Sequence, residues 1–175
     1  MKTITSRNII LRPTMYVAIS LLFVALICAS AFAGGDGRSS TSSKAVYKGH
    51  KNHLALFTGI THHEDNDEFS IGLDYEYRFH KIFGIGGLVE YTGGDCDSWI
   101  FGVPVFIHPY KGAQFIVAPG FISEDDETDF LLRLGAGYQV EIGKGWSLTP
   151  QYNVDFIEGE SELAQVIGVA LGFAF

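Results

Sequence analysis

From Phe69 to Phe79 the chain alternates. Phe69, Ile71, Leu73, Tyr75, Tyr77 and Phe79 are apolar or aromatic, and Ser70, Gly72, Asp74, Glu76 and Arg78 fall between them. A period of two sustained over this length predicts a pleated strand with an oily and a polar face, because a helix would scatter the same residues around its circumference. His80-Lys81 form a tight turn, and Ile82 to Tyr91 return with Phe83, Ile85, Val89 and Tyr91 on the oily side, so 68–91 is a hairpin.

The unit recurs along the chain. A first strand sets Leu54, Leu56 and Ile60 against His53, Ala55, Phe57, Gly59 and Thr61. A fourth carries Trp99, Phe101, Val103, Val105 and Ile107, and a fifth Phe115, Val117 and Phe121. The sixth sets Phe130, Leu132, Leu134, Ala136, Tyr138, Val140 and Ile142 against Arg133, Gly135, Gly137, Gln139 and Glu141. The seventh sets Trp146, Leu148, Tyr152, Val154 and Phe156 against Ser147, Thr149, Gln151, Asn153 and Asp155. The last sets Leu163, Ile167, Val169, Leu171, Phe173 and Phe175 against Gly168, Ala170, Gly172 and Ala174. Pro104, Pro119 and Pro150 remove backbone donors inside these strands, which predicts bulges or frayed segments. Odd connections (61–67, 92–98, 123–129, 158–162) are acidic and read as the longer loops, whereas even ones are short and carry Lys81, Lys111 or Lys144. Eight such strands fill 50–175 as one domain, with both termini at the short-turn end.

An alternating eight-stranded barrel is either a soluble cup, oily inside, or a membrane barrel, oily outside. Volume separates the two, since an eight-stranded barrel is just filled by ordinary side chains and cannot take in all these Phe, Tyr, Trp, Leu, Ile and Val groups. The opposite set is small enough for a narrow lumen. Aromatic residues also gather near both ends of the oily strands, as interfacial girdles do. The expected fold is therefore all-β, an eight-stranded up-and-down antiparallel transmembrane β-barrel.

Composition then changes the picture at the N-terminus. Lys2, Arg7 and Arg12 precede an apolar run from Met15 to Cys28 and the small-x-small triplet Ala31-Phe32-Ala33, the form of a secretory signal over residues 1–33. The run is too short for a spanning helix. Residues 34–49, rich in Gly, Ser and Thr, read as a flexible periplasmic leader. Loss of the signal takes away three basic residues and no acid, moving the formal net charge from −8 to −11. Such an acidic balance excludes nucleic-acid binding. Cys96 is then the only cysteine left, in an acidic loop that disfavours a nucleophilic thiolate.

In these features the chain resembles the small outer-membrane barrels of Gram-negative bacteria, the group of the OmpA transmembrane domain, OmpX and OmpW. The end of the chain carries the most specific part: Ile167, Val169, Leu171, Phe173 and the terminal Phe175 at every second position. In that family Leu171, Phe173 and Phe175 would present the assembly signal. The resemblance implies insertion by the barrel-assembly machinery into the outer membrane of the cell, outer-membrane lipid and lipopolysaccharide as partners, a monomer, and no cofactor.

Candidate chemistry is sparse. His62-His-Glu-Asp-Asn-Asp-Glu68 has metal-binding residue types but reads as a solvated loop without fixed ligand geometry. Enzymes that act on lipid A use this scaffold, yet the chain has no Gly-x-Ser-x-Gly or His-Glu-x-x-His motif and no Ser/His/acid arrangement that matches theirs. The polar faces instead predict a lumen charge network of Asp74, Glu76, Arg78, Glu90, Arg133, Glu141 and Asp155, five acids against two arginines. Inward Phe57, Leu88, Ile100, Phe106, Ile116 and Leu131 make the lumen partly apolar. The expectation is a non-enzymatic barrel with a structural or surface-interaction role and acidic extracellular loops. The alternatives are a narrow pore for small or apolar solutes, as in the OmpW group, and a lipid A-modifying enzyme.

Overall fold

The computed structural model describes residues 50–63, 66–94, 97–124, 127–159 and 163–175. The segments expected to be signal and leader, and Cys96, lie outside them. Eight strands follow in order. They are β1 (Asn52–His63), β2 (Asn66–Arg78), β3 (Phe83–Gly93), β4 in two segments (Ser98–Gly102 and Val105–Ile107), β5 (Ala113–Glu124), β6 in two segments (Glu127–Tyr138 and Val140–Glu141), β7 (Trp146–Ile157) and β8 (Ala164–Ala174). Each pairs antiparallel with its sequence neighbours, and β8 pairs back onto β1 from His53↔Ala174 to His62↔Gln165, which closes the barrel and leaves no free edge.

Closure lets a barrel satisfy its backbone without water, the condition for crossing hydrocarbon with strands. A strand of 12 residues such as β1 is about 40 Å long, and tilted by about 40° it spans about 30 Å. Outward positions are apolar and exposed, among them Leu56, Phe69, Leu73, Phe101, Phe121, Ile167 and Leu171. So continuous an apolar exterior would aggregate in water and is matched by lipid. Aromatic pairs mark both ends of this belt. Tyr91 and Trp99 have ring centres 5.0 Å apart at the loop end, and Trp146 and Phe173 have the same separation at the turn end.

The prolines act in a narrower way than the sequence suggests. At Val103-Pro104 the ladder of β4 is interrupted, but the register to β3 is the same on both sides (Leu88↔Gly102, Ile85↔Val105), so there is no bulge. Gly86 N–H donates to the Pro104 carbonyl at 2.9 Å, and proline has no N–H to return the second bond of that pair. β6 breaks at Gln139, beside Tyr138, which the register places opposite Pro150 of β7. Pro119 sits inside an uninterrupted β5.

Three of the four acidic connections are shorter than expected. β1 and β2 remain paired to His63↔Asn66, and β5 and β6 to Glu124↔Glu127. Backbone pairing needs no apolar side chain, so the hairpins continue past the oily belt and carry exposed Asp67, Glu127 and Asp129 beyond it. At the other end the β6–β7 turn closes through Gly145 at φ 82°, where a Cβ would stand 3.0 Å from the Ala174 carbonyl oxygen.

Candidate functional site

The lumen is where the polar faces converge, and its side chains form two charged layers with apolar packing around them. In the layer nearer the loop end, Arg133 of β6 donates through Nη1 and Nη2 to both oxygens of Glu90 on β3, at 2.7 and 2.9 Å. Its Nε and Nη2 donate to both oxygens of Asp155 on β7, each at 2.7 Å. These are two bidentate forks on one guanidinium, the strongest geometry available to such a pair. All three side chains are at most 2 % exposed. Asp155 faces Arg133 directly across the β6–β7 ladder. Glu90 lies three strands away around the ring, so the second fork crosses the lumen.

The layer nearer the turn end centres on Glu76 of β2. Its Oε1 accepts from Arg78 Nε at 2.8 Å and lies 2.9 Å from Nε2 of His108. Arg78 Nη2 donates to Gln139 Oε1 at 3.1 Å, from β2 to the opposite side of an eight-membered ring. The Gln139 amide in turn donates to Ser147 Oγ and reaches His53 Nε2, each at 3.2 Å. Above both layers, Thr61, Ser70 and Thr92 form a hydroxyl chain with contacts of 2.5 and 3.0 Å.

Apolar side chains close the space between. Phe57 packs with Ala55, Val166 and Ala170, Leu131 with Leu88, Ile100 and Ile157, and Phe106 with Ile116 and Ala118. The Phe57 ring fits because Gly59 and Gly168 present no Cβ where the ring lies. A small void, with space for about one water molecule, persists between the two charged layers beside Asp74, Glu76, Gln114 and Gln151.

The structure thus joins Arg133, Glu90 and Asp155 in one cluster and Arg78 and Glu76 in another, with Asp74 beside the void. Glu141 is the exception and corrects the sequence expectation. By register it faces Ser147 on the lumen side, but it sits at the mouth of the barrel and is exposed, outside the buried network. Its strand ends there, so water rather than an arginine solvates the carboxylate. His108, His53 and Gln139 were not anticipated as network members. They are far from Glu76, Ser147 and Arg78 in sequence, and only the inward alternation of their strands hinted at them. Leu171, Phe173 and Phe175 all project outward at the end of the chain and are exposed.

The lumen also brings Ser147 Oγ within 3.0 Å of His53 Nε2. A serine beside an imidazole is part of a nucleophilic constellation, but Ser147 is completely buried. Among the described residues no three His, Cys, Asp or Glu side chains converge on a metal-binding point. His62 Nδ1 meets Asp67 Oδ1 at 2.8 Å on the loop-end rim.

No family model and no curated protein sequence matches the chain. Solved structures do. The N-terminal β-barrel domain of Pseudomonas aeruginosa OprF is similar at 11% identity and a TM-score of 0.54, covering 72% of this chain and 99% of that one. A de novo designed transmembrane β-barrel is similar at 16% identity and a TM-score of 0.50, covering 69% and 94%. Neisserial surface protein A aligns at 9% identity and a TM-score of 0.48, covering 71% and 96%. The chain has the fold of the small eight-stranded transmembrane β-barrels.

Proposed function

We propose that this protein is an integral outer-membrane barrel whose lumen is a plug, with a structural or surface-interaction role exercised through its acidic end. The observation that supports the plug is the fork between Arg133 and Glu90, which ties β6 to β3 across the lumen with both side chains buried. A conducting path along the axis would have to part that fork and move Phe57 and Leu131, both 1% exposed. The non-enzymatic reading rests on the sealing of Ser147 and on the use of Glu76 and Asp155 as partners of arginines. The acidic exterior, with Asp67, Asp97, Glu127, Asp129 and Glu158 at one end, suits divalent cations and the lipopolysaccharide phosphates they bridge.

Planar-bilayer recording of the refolded full chain tests the reading. The expected result is little conductance. Steady, cation-selective conductance would instead establish the narrow pore, and turnover of lipid A by the purified protein would establish the enzyme.

A further inference from the structure

The charges of the lumen do not balance. Four buried carboxylates, Asp74, Glu76, Glu90 and Asp155, face two guanidinium groups, Arg78 and Arg133. Arg133 commits its Nε, Nη1 and Nη2 to Glu90 and Asp155. Arg78 and His108 both meet Oε1 of Glu76, at 2.8 and 2.9 Å. Two carboxylate oxygens are left over: Asp74 Oδ1 and Glu76 Oε2 are buried and have no hydrogen-bond partner among the described residues. Both side chains line the same void, together with His53, Gln114, Thr149 and Gln151.

A carboxylate buried without a partner is among the costliest features a fold can carry, so some positive species belongs beside it. A proton on Asp74 would remove one charge but leave Glu76 Oε2 without a partner. A cation in the void would face both side chains, since both line it. Apart from His53, whose Nε2 is engaged with Ser147 and Gln139, the polar groups on the void wall offer carboxylate, amide or hydroxyl oxygens, a hard donor set that suits calcium rather than a transition metal. Magnesium keeps several of its waters, and the void has space for about one.

We propose that the lumen binds one calcium-class divalent cation in the void between Asp74 and Glu76, with oxygens of Gln114, Thr149 and Gln151 completing its shell. The donors are two carboxylates and neutral oxygens, and the site is separate from the acidic rim. The ion offsets the excess of carboxylates over guanidinium groups in the lumen.

The test uses the full chain refolded in detergent, stripped with chelator, exposed to calcium alone and passed through a desalting column in physiological potassium chloride, which screens the rim. The expected result is one calcium retained per barrel. Retention should fall by about tenfold or more in Asp74→Asn and persist in the rim variant Glu127→Gln, with folding verified by the gel shift on heating. Should Asp74→Asn fail to fold, Gln114→Leu with Gln151→Leu removes two neutral ligands and is expected to weaken retention. A wild-type barrel that retains no calcium, equal retention in a folded Asp74→Asn barrel, or loss of retention in Glu127→Gln would each overturn the proposal.

Discussion

Arg133→Ala removes the group on which the loop-end layer depends. The substitution deletes four short hydrogen bonds and leaves Glu90 and Asp155, which are 2% and 1% exposed with Arg133 in place, without their common partner. The loss is not the sum of those bonds, since each was made at the expense of water. What counts is the penalty of leaving two carboxylates buried without a counter-charge, about 3–5 kcal/mol for a broken buried ion pair. With a urea m-value of about 2 kcal/mol/M, the midpoint should fall by about 2 M. Trp99 and Trp146, one in each aromatic belt, report the transition by fluorescence from vesicle-inserted protein. A triple variant, Arg133→Met with Glu90→Gln and Asp155→Asn, removes the charges together and should recover most of the loss, because a buried triad is worth little against neutral side chains of similar volume. An unchanged midpoint in Arg133→Ala would refute the reasoning. It would mean that water already screens Glu90 and Asp155, and with it the plug would fall.

Three further outcomes follow from the same geometry. Phe57→Ala should cost about 3–5 kcal/mol in urea unfolding by opening a cavity in the lumen, and Gly168→Val about 1–3 kcal/mol by forcing a side chain against the Phe57 ring and the Thr58 carbonyl; equal stability of both variants to wild type would contradict the packed lumen. Deletion of Phe175, whose ring stacks on Phe173 at 6.3 Å, should leave protease-sensitive protein in the periplasm, and an unchanged outer-membrane yield with a normal gel shift would count against an assembly signal. Mass spectrometry of outer-membrane fractions should find a mature chain beginning at Gly34; an intact chain from Met1 in the inner membrane would sink both the processing site and the proposed location.

The sequence by itself determined the strands, their faces and the sense in which the barrel is turned inside out. Those properties are local: a period of two places Phe69, Ile71 and Leu73 on one side and Ser70, Gly72 and Asp74 on the other whatever the partner strands are, and side-chain volume then decides which side faces in. Register across the ring is a different matter. Nothing in the spacing of Glu90 and Arg133, or of Arg78 and Gln139, says that three or four strands of curvature bring them into contact, because closure is a property of the whole sheet. The same holds for Glu141, inward by alternation but placed at the mouth by the height at which β6 ends. It holds too for the prolines, whose effect at Pro104 and opposite Pro150 depended on which donor the neighbouring strand had lost. Asp74 shows the division most plainly. Alternation put it in the lumen, but only the closed barrel showed that both arginines bond elsewhere and that the space beside it holds little more than a single small guest.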